Sequence, residues 1–90
     1  MVTNNDVVAL GVLDGARERG LAVPDELAVI GFDDIDVAGL LRPALTTVRI
    51  PASEEGGAAA ELLLSRLRED VVRPPRAVTF STEVVRRESA

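Results

Sequence analysis

The sequence predicts an α/β fold with a parallel sheet flanked by helices. Three observations lead to this prediction: a helical pattern from about residue 6 to 19, a short connection, and a continuous apolar strand at 27–32. A helix followed by a short loop and such a strand is half of a βαβ unit, whose two strands run parallel. The other strand would lie before Met1, so that only Val2 and Thr3 would belong to it.

Composition excludes several classes of chemistry. The 90 residues are 47% hydrophobic, enough for a core, and they include no Cys and no His. All ten basic residues are Arg, so there is no lysine for a P-loop or a Schiff base. Disulfides, imidazole metal ligands and Ser-His triads are equally excluded. The net charge of −5 argues against binding of a nucleic-acid backbone by this chain alone.

The N-terminal residues and the apolar runs contain no targeting signal. Residues 1–6 have neither the basic nor the apolar region of a signal peptide, and no apolar run is long enough to span a membrane. We therefore expect no membrane partner. Because structured-looking sequence follows Met1 at once, we expect a fragment or a start site inside a longer gene.

The first predicted helix covers residues 6–19. One of the polar residues at 3–5 would cap it, Asp6 suits the positive end of the helix dipole, and Gly20 is a natural C′ residue. Leu10 lies beside the polar face rather than on the apolar one. Two interpretations of Leu10 remain open: an ordinary surface leucine, or a contact with another chain.

The middle of the chain is predicted to contain two strands. The strand at 27–32 has the apolar composition of a strand buried on both faces, and Gly31 and two carboxylates mark its carboxyl end. Residues 33–43 are expected to be irregular, with one or two helical turns. Residues 45–50 form a second strand that leaves the sheet at Pro51.

The last forty residues are predicted to form a helix and two short strands. Ser53 would cap the helix, which runs to about Glu69. The strands cover residues 77–80 and 82–87. Arg86 and Arg87 are interpreted as a solvated strand end.

Polar side chains at the carboxyl edge of the sheet are the strongest candidates for a binding site. Asp33 follows the strand at 27–32, and Asn5 ends the connection after the preceding strand, so both would lie at the edge where open α/β sheets bind ligands. A ligand clamp is therefore one interpretation. The alternatives stay open: Asn5 as a helix cap only, and Asp33 with Asp34 as a solvated turn.

Metal binding and catalysis are not predicted. Asp33, Asp34 and Asp36 supply only part of the oxygen set that a hard cation requires. Phospho-accepting chemistry at such a pair of acids would require a lysine, which the chain lacks. No nucleophile with its base is present, so we expect no catalytic residue, no cofactor and no enzyme activity.

Taken in order, the motifs of the chain resemble the regulatory core of LacI/GalR-family transcriptional repressors. The resemblance covers essentially all 90 residues. The motifs are Asn5-Asp6, Ala9-Leu10-Gly11, Gly20-Leu21, Val23-Pro24, Ala28 to Asp34, Pro43 to Val48, Pro51, Gly56, Ala59 to Leu64, and Arg87-Glu88-Ser89.

The resemblance implies the C-terminal part of an effector-binding domain with the type I periplasmic-binding-protein-like fold. Residues 1–46 and 77–90 would belong to its C-terminal lobe, and residues 47–76 to a crossover and a helix of its N-terminal lobe. Asn5 and Asp33 match positions that hydrogen-bond the effector. The resemblance also implies dimer contacts, at Leu10, Val37, Leu40 and Leu41.

The function implied by the resemblance is sensing of a small effector, a sugar or related molecule, between two lobes. Effector binding would shift a population of lobe arrangements and so change operator affinity. We expect a cytoplasmic homodimer that contacts DNA only through a headpiece absent from this chain. Two alternatives remain: a sugar-binding receptor of a transport system, and an enzyme that handles metal or phosphate through the Asp cluster.

Overall fold

The computed structural model describes residues 1–69 and 72–90, and these divide into two compact units. Unit 1 comprises residues 1–50 and 82–90, and unit 2 comprises residues 51–81. The elements in chain order are α1 (Asp6–Glu18), a 3₁₀ turn (Asp36–Gly39), β1 (Thr47–Arg49), α2 (Ala52–Arg68) and β2 (Glu83–Val85).

Unit 1 contains the predicted parallel sheet, as a set of short extended segments. Parallel bridges join Val2 to Ile30 and Ile30 to Thr46, so that Ile30 lies in the central segment. β1 then pairs antiparallel with β2, with Thr47 opposite Val85. Together with α1, this arrangement confirms the predicted α/β fold.

The prediction that residues 27–32 are buried on both faces is wrong for the described chain. Val29 and Gly31 are buried, whereas Ala28 is exposed and Phe32 is 37% exposed. Alternate residues of an extended segment point to opposite faces, so the buried residues lie on one face of the sheet. The apolar composition predicted an extended segment here, and the packing covers only one face of it.

α1 forms because its two ends and its inner face all suit a helix. The Asn5 side chain caps it by accepting a hydrogen bond from the Val8 amide at 2.9 Å, and Gly20 follows its C-terminus at φ +67°. The small Ala9 on its inner face is fully buried. The core of unit 1 then comprises Ala9, Val29, Ala38 and Leu45.

Three predictions for the second half of the chain need correction. α2 begins at Ala52 after Pro51, without a side-chain cap, so Ser53 lies inside the helix. Pro51 has no amide hydrogen to satisfy and its ring restricts φ near helical values, which allows the helix to start earlier. The predicted strand at 77–80 does not form, because no described segment pairs with it, and the strand at 82–87 shortens to β2.

Unit 2 contains α2 and, in its described residues after the helix, a segment without regular secondary structure; none of its described residues is buried. Leu62 of α2 and Phe80 of the later segment line one shallow groove. Leu63 and Leu67 of α2 are 59% and 73% exposed. Across the described residues of both units, no helix combines the length and the apolar character that crossing a membrane requires.

Candidate functional site

The structure brings the segments of Asn5 and Asp33 together at one edge of the unit 1 sheet. The Asp6 amide, next to Asn5, donates to the carbonyl oxygen of Phe32, next to Asp33, at 2.9 Å. Asn5 is half-buried and Asp33 is exposed. Asn5 and Asp33, the two residues predicted to bind a ligand, are therefore the direct neighbours in sequence of Asp6 and Phe32, whose backbones are hydrogen-bonded to each other.

Asn5 is a helix cap, and the cap leaves part of its side chain free. Its Oδ1 accepts the hydrogen bond from Val8, so this oxygen is already engaged. No hydrogen bond from its Nδ2 to residues 1–69 or 72–90 is present. The group that Asn5 can offer to a ligand is therefore the amide N–H₂, which donates only.

Asp33 and Asp34 both have a backbone conformation that L-residues rarely adopt. Their φ angles are +111° and +52°. Each such residue costs about 1–3 kcal/mol and persists only where the surrounding structure imposes it. The two residues therefore form a turn held by other groups, and we call residues 33–35 the acidic turn.

Three successive amides of the acidic turn find acceptors from other segments. The Asp33 amide donates to the Val48 carbonyl at 2.9 Å, and the Ile35 amide donates to Asp6 Oδ2 at 2.9 Å. Between them, the Asp34 amide donates to Thr47 Oγ1 at 3.3 Å. Two of the three acceptors are side chains, one from the start of α1 and one from β1.

Asp6 is the buried centre of this arrangement. It is fully buried, and its Oδ1 accepts a 2.6 Å hydrogen bond from Thr47 Oγ1. A Cβ atom at Gly31 would overlap the Asp6 carboxylate, so glycine is required there. The position of Asp6 in the sequence predicts only an interaction with the helix dipole. Gly31, shortly before the two acids, is the one sequence signal of a close approach.

Asp34 is held by two arginines and is not a solvated turn residue. Its side chain is 10% exposed and accepts 2.7 Å hydrogen bonds from Arg49 Nε and Arg87 Nη2. Burial raises the pKa of Asp34, but the hydrogen bonds and charges of Arg49 and Arg87 outweigh it and hold that pKa below its ordinary value. Asp34 therefore serves the structure of the turn, whereas the Asp33 carboxylate is exposed.

The prediction that Arg86 and Arg87 form a solvated strand end is wrong for Arg87. Its side chain is 21% exposed, and its Nη1 also donates to the Leu45 carbonyl at 2.9 Å. Arg86, by contrast, is exposed. Neighbouring residues of an extended segment point to opposite sides, and only one side of this segment meets Asp34.

The C-terminal residues join two segments of the sheet. Ser89 is fully buried; its Oγ donates to the Val29 carbonyl at 2.6 Å and accepts from the Thr46 amide at 2.8 Å. Its amide donates to the Ala44 carbonyl at 2.9 Å. The Arg87-Glu88-Ser89 motif is therefore part of the scaffold below the acidic turn.

The four residues predicted to form a dimer contact are only partly brought together. Leu10 and Leu41 are half-buried and line the same open groove, of about 630 Å³, beside α1. Val37 and Leu40 are 38% and 77% exposed and do not line it.

The acids of this region do not assemble a metal site. No cluster of three or more potential metal ligands occurs in residues 1–69 and 72–90. Both Asp34 oxygens are engaged by arginines, which leaves a cation too few oxygens in the acidic turn.

Comparisons with known proteins agree with this fold. The chain matches the periplasmic binding protein-like domain family over residues 1–90. It is 40% identical over 89 residues to the HTH-type transcriptional regulator AscG of Escherichia coli, covering 99% of this chain and 26% of AscG. It is also 40% identical over 90 residues to a lactose operon repressor of Rhizobium radiobacter, covering all of this chain and 78% of that protein.

The solved structure of one transcriptional regulator is similar to nearly the whole of this chain. The transcriptional regulator CelR in complex with cellobiose has a TM-score of 0.90 and 34% identity, covering 99% of this chain and 27% of that one. The chain thus spans about a quarter of the length of AscG and CelR. From these matches, the chain belongs to the periplasmic binding protein-like domain family and, within it, to the LacI-type transcriptional regulators.

Proposed function

We propose that this chain is the C-terminal part of the effector-sensing domain of a DNA-binding transcriptional repressor, and that it binds a sugar through Asn5 and Asp33. The observation that carries the proposal is an exposed carboxylate at positive φ beside a capping asparagine with a free amide group. The carboxylate of Asp33 accepts hydrogen bonds from sugar hydroxyls, and the amide of Asn5 donates them. A hydrogen bond to a charged group contributes about 1.5–3 kcal/mol.

The relatives support a sugar as the ligand class. CelR was solved with cellobiose, and the Rhizobium radiobacter relative is named for a lactose operon. Both names point to disaccharides, which present several adjacent hydroxyls to a carboxylate. In our proposal this chain requires no cofactor or metal and performs no catalytic step.

Binding is proposed to act by population shift. The resemblance implied lobe boundaries at residues 47 and 76; in our proposal they follow the two units instead, with residues 1–50 and 82–90 in one lobe and residues 51–81 in the other. The sugar favours one lobe arrangement. Couplings of about 1–3 kcal/mol are typical of such switches. Because the net charge of −5 disfavours contact with the DNA backbone, this chain is proposed to sense the sugar while a headpiece outside it contacts DNA. The protein is proposed to act in the cytoplasm.

A homodimer is part of the proposal. Leu10 and Leu41 line an apolar groove on unit 1, and Leu40 exposes 77% of its surface close by in sequence. We expect Leu10→Arg to shift the protein from dimer to monomer in sedimentation velocity, with Leu67→Arg of unit 2 as the control. If the unsubstituted protein is already a monomer, the proposal of a homodimer is wrong.

Matched variants test the binding site. In the protein that carries this chain, Asp33→Asn should weaken cellobiose and lactose binding at least about ten-fold in calorimetry, because one charged acceptor is lost. Asp36→Asn, an exposed acid of the neighbouring 3₁₀ turn, should leave affinity unchanged. Asn5→Ser keeps a good helix cap and removes the amide, so it should lower affinity without lowering stability. Equal affinities for all variants would refute the assignment.

The alternative function is a sugar-binding receptor of a transport system with the same fold. The LacI-type relatives favour the repressor, and operator binding distinguishes the two. In fluorescence anisotropy, a repressor changes its affinity for operator DNA when cellobiose or lactose is added. Sugar binding without any DNA binding would favour the receptor instead.

A further inference from the structure

The acidic turn is strained, and its amides are held by side chains that do not reach the proposed ligand position. The Asp34 amide depends on the Thr47 hydroxyl, and the Ile35 amide depends on the Asp6 carboxylate. The Thr47 hydroxyl in turn donates to Asp6. We call Asp6 and Thr47, with these three hydrogen bonds, the turn relay.

The turn relay is a closed set of donors and acceptors. The Thr47 hydroxyl has one hydrogen, which it gives to Asp6, and it accepts from the Asp34 amide. The Asp6 carboxylate accepts on both oxygens, one from Thr47 and one from Ile35. Both residues are fully buried, so water cannot replace a lost partner.

From this geometry we infer that Asp6 and Thr47 are positioning residues for effector binding: they hold the Asp33 carboxylate in its binding orientation without touching the effector. The inference rests on the proposed function of Asp33. Because the φ angle of +111° at Asp33 is unfavourable by itself, loss of the relay allows residues 33–35 to relax. The carboxylate then leaves the edge that it shares with Asn5.

Three observations connect the relay to the acidic turn. It joins the first turn of α1 to β1, two elements whose bonded residues are 41 positions apart in sequence, and both of its side chains accept amides of the acidic turn. Gly31 is required so that the Asp6 carboxylate can approach. Asp34 is fixed separately by Arg49 and Arg87, so the turn is held both from the interior and from its flank.

Thr47→Val and Thr47→Ser test the inference as a matched pair. Valine keeps the shape and removes the hydroxyl, whereas serine keeps the hydroxyl. In the protein that carries this chain, we expect Thr47→Val to weaken cellobiose binding about ten-fold and Thr47→Ser to restore affinity to within about two-fold of the unsubstituted protein. Asp6→Asn, which retains only one of the two acceptor oxygens, should behave like Thr47→Val.

A stability control separates positioning from unfolding. Ala16→Gly destabilises the far end of α1, where Ala16 is 3% exposed, and does not contact the relay. Affinities are measured where circular dichroism shows every variant folded. We expect Ala16→Gly to keep full affinity; if it loses affinity as Thr47→Val does, the effect follows stability and the inference is wrong.

Hydrogen–deuterium exchange of the peptide covering residues 31–36 provides a readout without ligand. We expect exchange at least ten-fold faster in Thr47→Val and Asp6→Asn, and unchanged exchange in Thr47→Ser and Ala16→Gly. Unchanged exchange in Thr47→Val would overturn the inference whatever the affinities. Faster exchange with unchanged affinity would also overturn it, and would leave the proposed function intact. If the unsubstituted protein binds neither sugar, the proposed function fails and the positioning role fails with it.

Discussion

The two units of this chain differ in how many of their side chains are buried. Every buried residue of the described chain lies in unit 1, from Thr3 to Ser89, and none lies in the described part of unit 2. Unit 2 instead presents Leu63 and Leu67 on the open side of α2. Burial of side chains therefore contributes to the stability of unit 1, and among the described residues it contributes much less to unit 2.

The two units also differ in how far apart in sequence the partners of side-chain hydrogen bonds are. In unit 1, Thr47 reaches Asp6 over 41 residues of sequence and Ser89 reaches Val29 over 60. In unit 2, Ser65 donates to the Leu62 carbonyl three residues away. Among the described residues, no buried side-chain polar atom lacks a partner, so unit 1 contains a satisfied polar network. The candidate site lies on the unit that can hold strained residues in place.

The largest expected effect comes from paired Leu→Ala substitutions. Leu45 is fully buried in the core of unit 1, and Leu45→Ala should lower the free energy of unfolding by about 2–5 kcal/mol. Leu67, 73% exposed on α2, is the control, and Leu67→Ala should cost less than about 0.5 kcal/mol. Urea unfolding followed by circular dichroism measures both. Equal losses would show that α2 is buried as deeply as the core.

The second effect compares two serines. Ser89→Ala removes a buried hydroxyl that serves both Val29 and Thr46, and should cost about 1–3 kcal/mol in thermal or urea unfolding. Ser53→Ala changes an exposed residue inside α2 that caps nothing, and should leave stability unchanged or slightly higher. A loss at Ser53 comparable to that at Ser89 would contradict the helix start at Ala52.

The third effect is a pH dependence specific to Asp34. Because the pKa of Asp34 in the folded state lies below its ordinary value of 3.8, the ionised carboxylate stabilises the folded state. This contribution is present above pH 3.8 and is lost as pH falls through the lower pKa of the folded state. Asp34→Asn should therefore be less stable than the unsubstituted chain at pH 7, by on the order of 1 kcal/mol, and the difference should vanish in acid.

The cause of this pH dependence can be removed separately. In a background with both Arg49→Gln and Arg87→Gln, the Asp34→Asn substitution should no longer cost stability at pH 7, because the two charges that lower the pKa of Asp34 are gone. Urea unfolding at pH 7, and at a series of pH values falling below 3.8, measures the effect of Asp34→Asn with and without the two arginines. If Asp34→Asn still lowers the free energy of unfolding at pH 7 in that background, the loss comes from the turn itself and not from the ion pairs with Arg49 and Arg87.

The smallest effect is expected at an ion pair of unit 2. Arg73 and Glu69 form a 2.8 Å pair, and the Arg73 side chain is 55% exposed. Exposed pairs contribute about 0–1 kcal/mol, so Arg73→Ala should change the free energy of unfolding by less than about 0.5 kcal/mol and show no effect at high salt. A larger loss would mean that Arg73 has contacts beyond this pair.

Local sequence patterns predicted the parts of the fold that depend on neighbouring residues. The cap, predicted among residues 3–5, lies at Asn5, and Gly20 follows the helix as predicted, because caps act within a few residues. The apolar run at 27–32 predicted an extended segment, but not that only one of its faces is buried. The same reasoning failed at Ser53, because Pro51 already starts α2 without a side-chain cap. It also failed at residues 77–80, since a strand requires a partner that the pattern does not specify.

The site residues divide in the same way. Asn5 and Asp33 could be named as candidates from their position at the ends of predicted elements. Asp6, Thr47 and Arg87 could not, because their roles depend on partners 29 to 53 residues away in the chain. Burial of an aspartate, and the arginines that hold its neighbour, follow from how segments meet in space. Residue type and spacing thus specified the helices and the edge of the sheet, and the packing of unit 1 alone assigned the groups that hold the acidic turn.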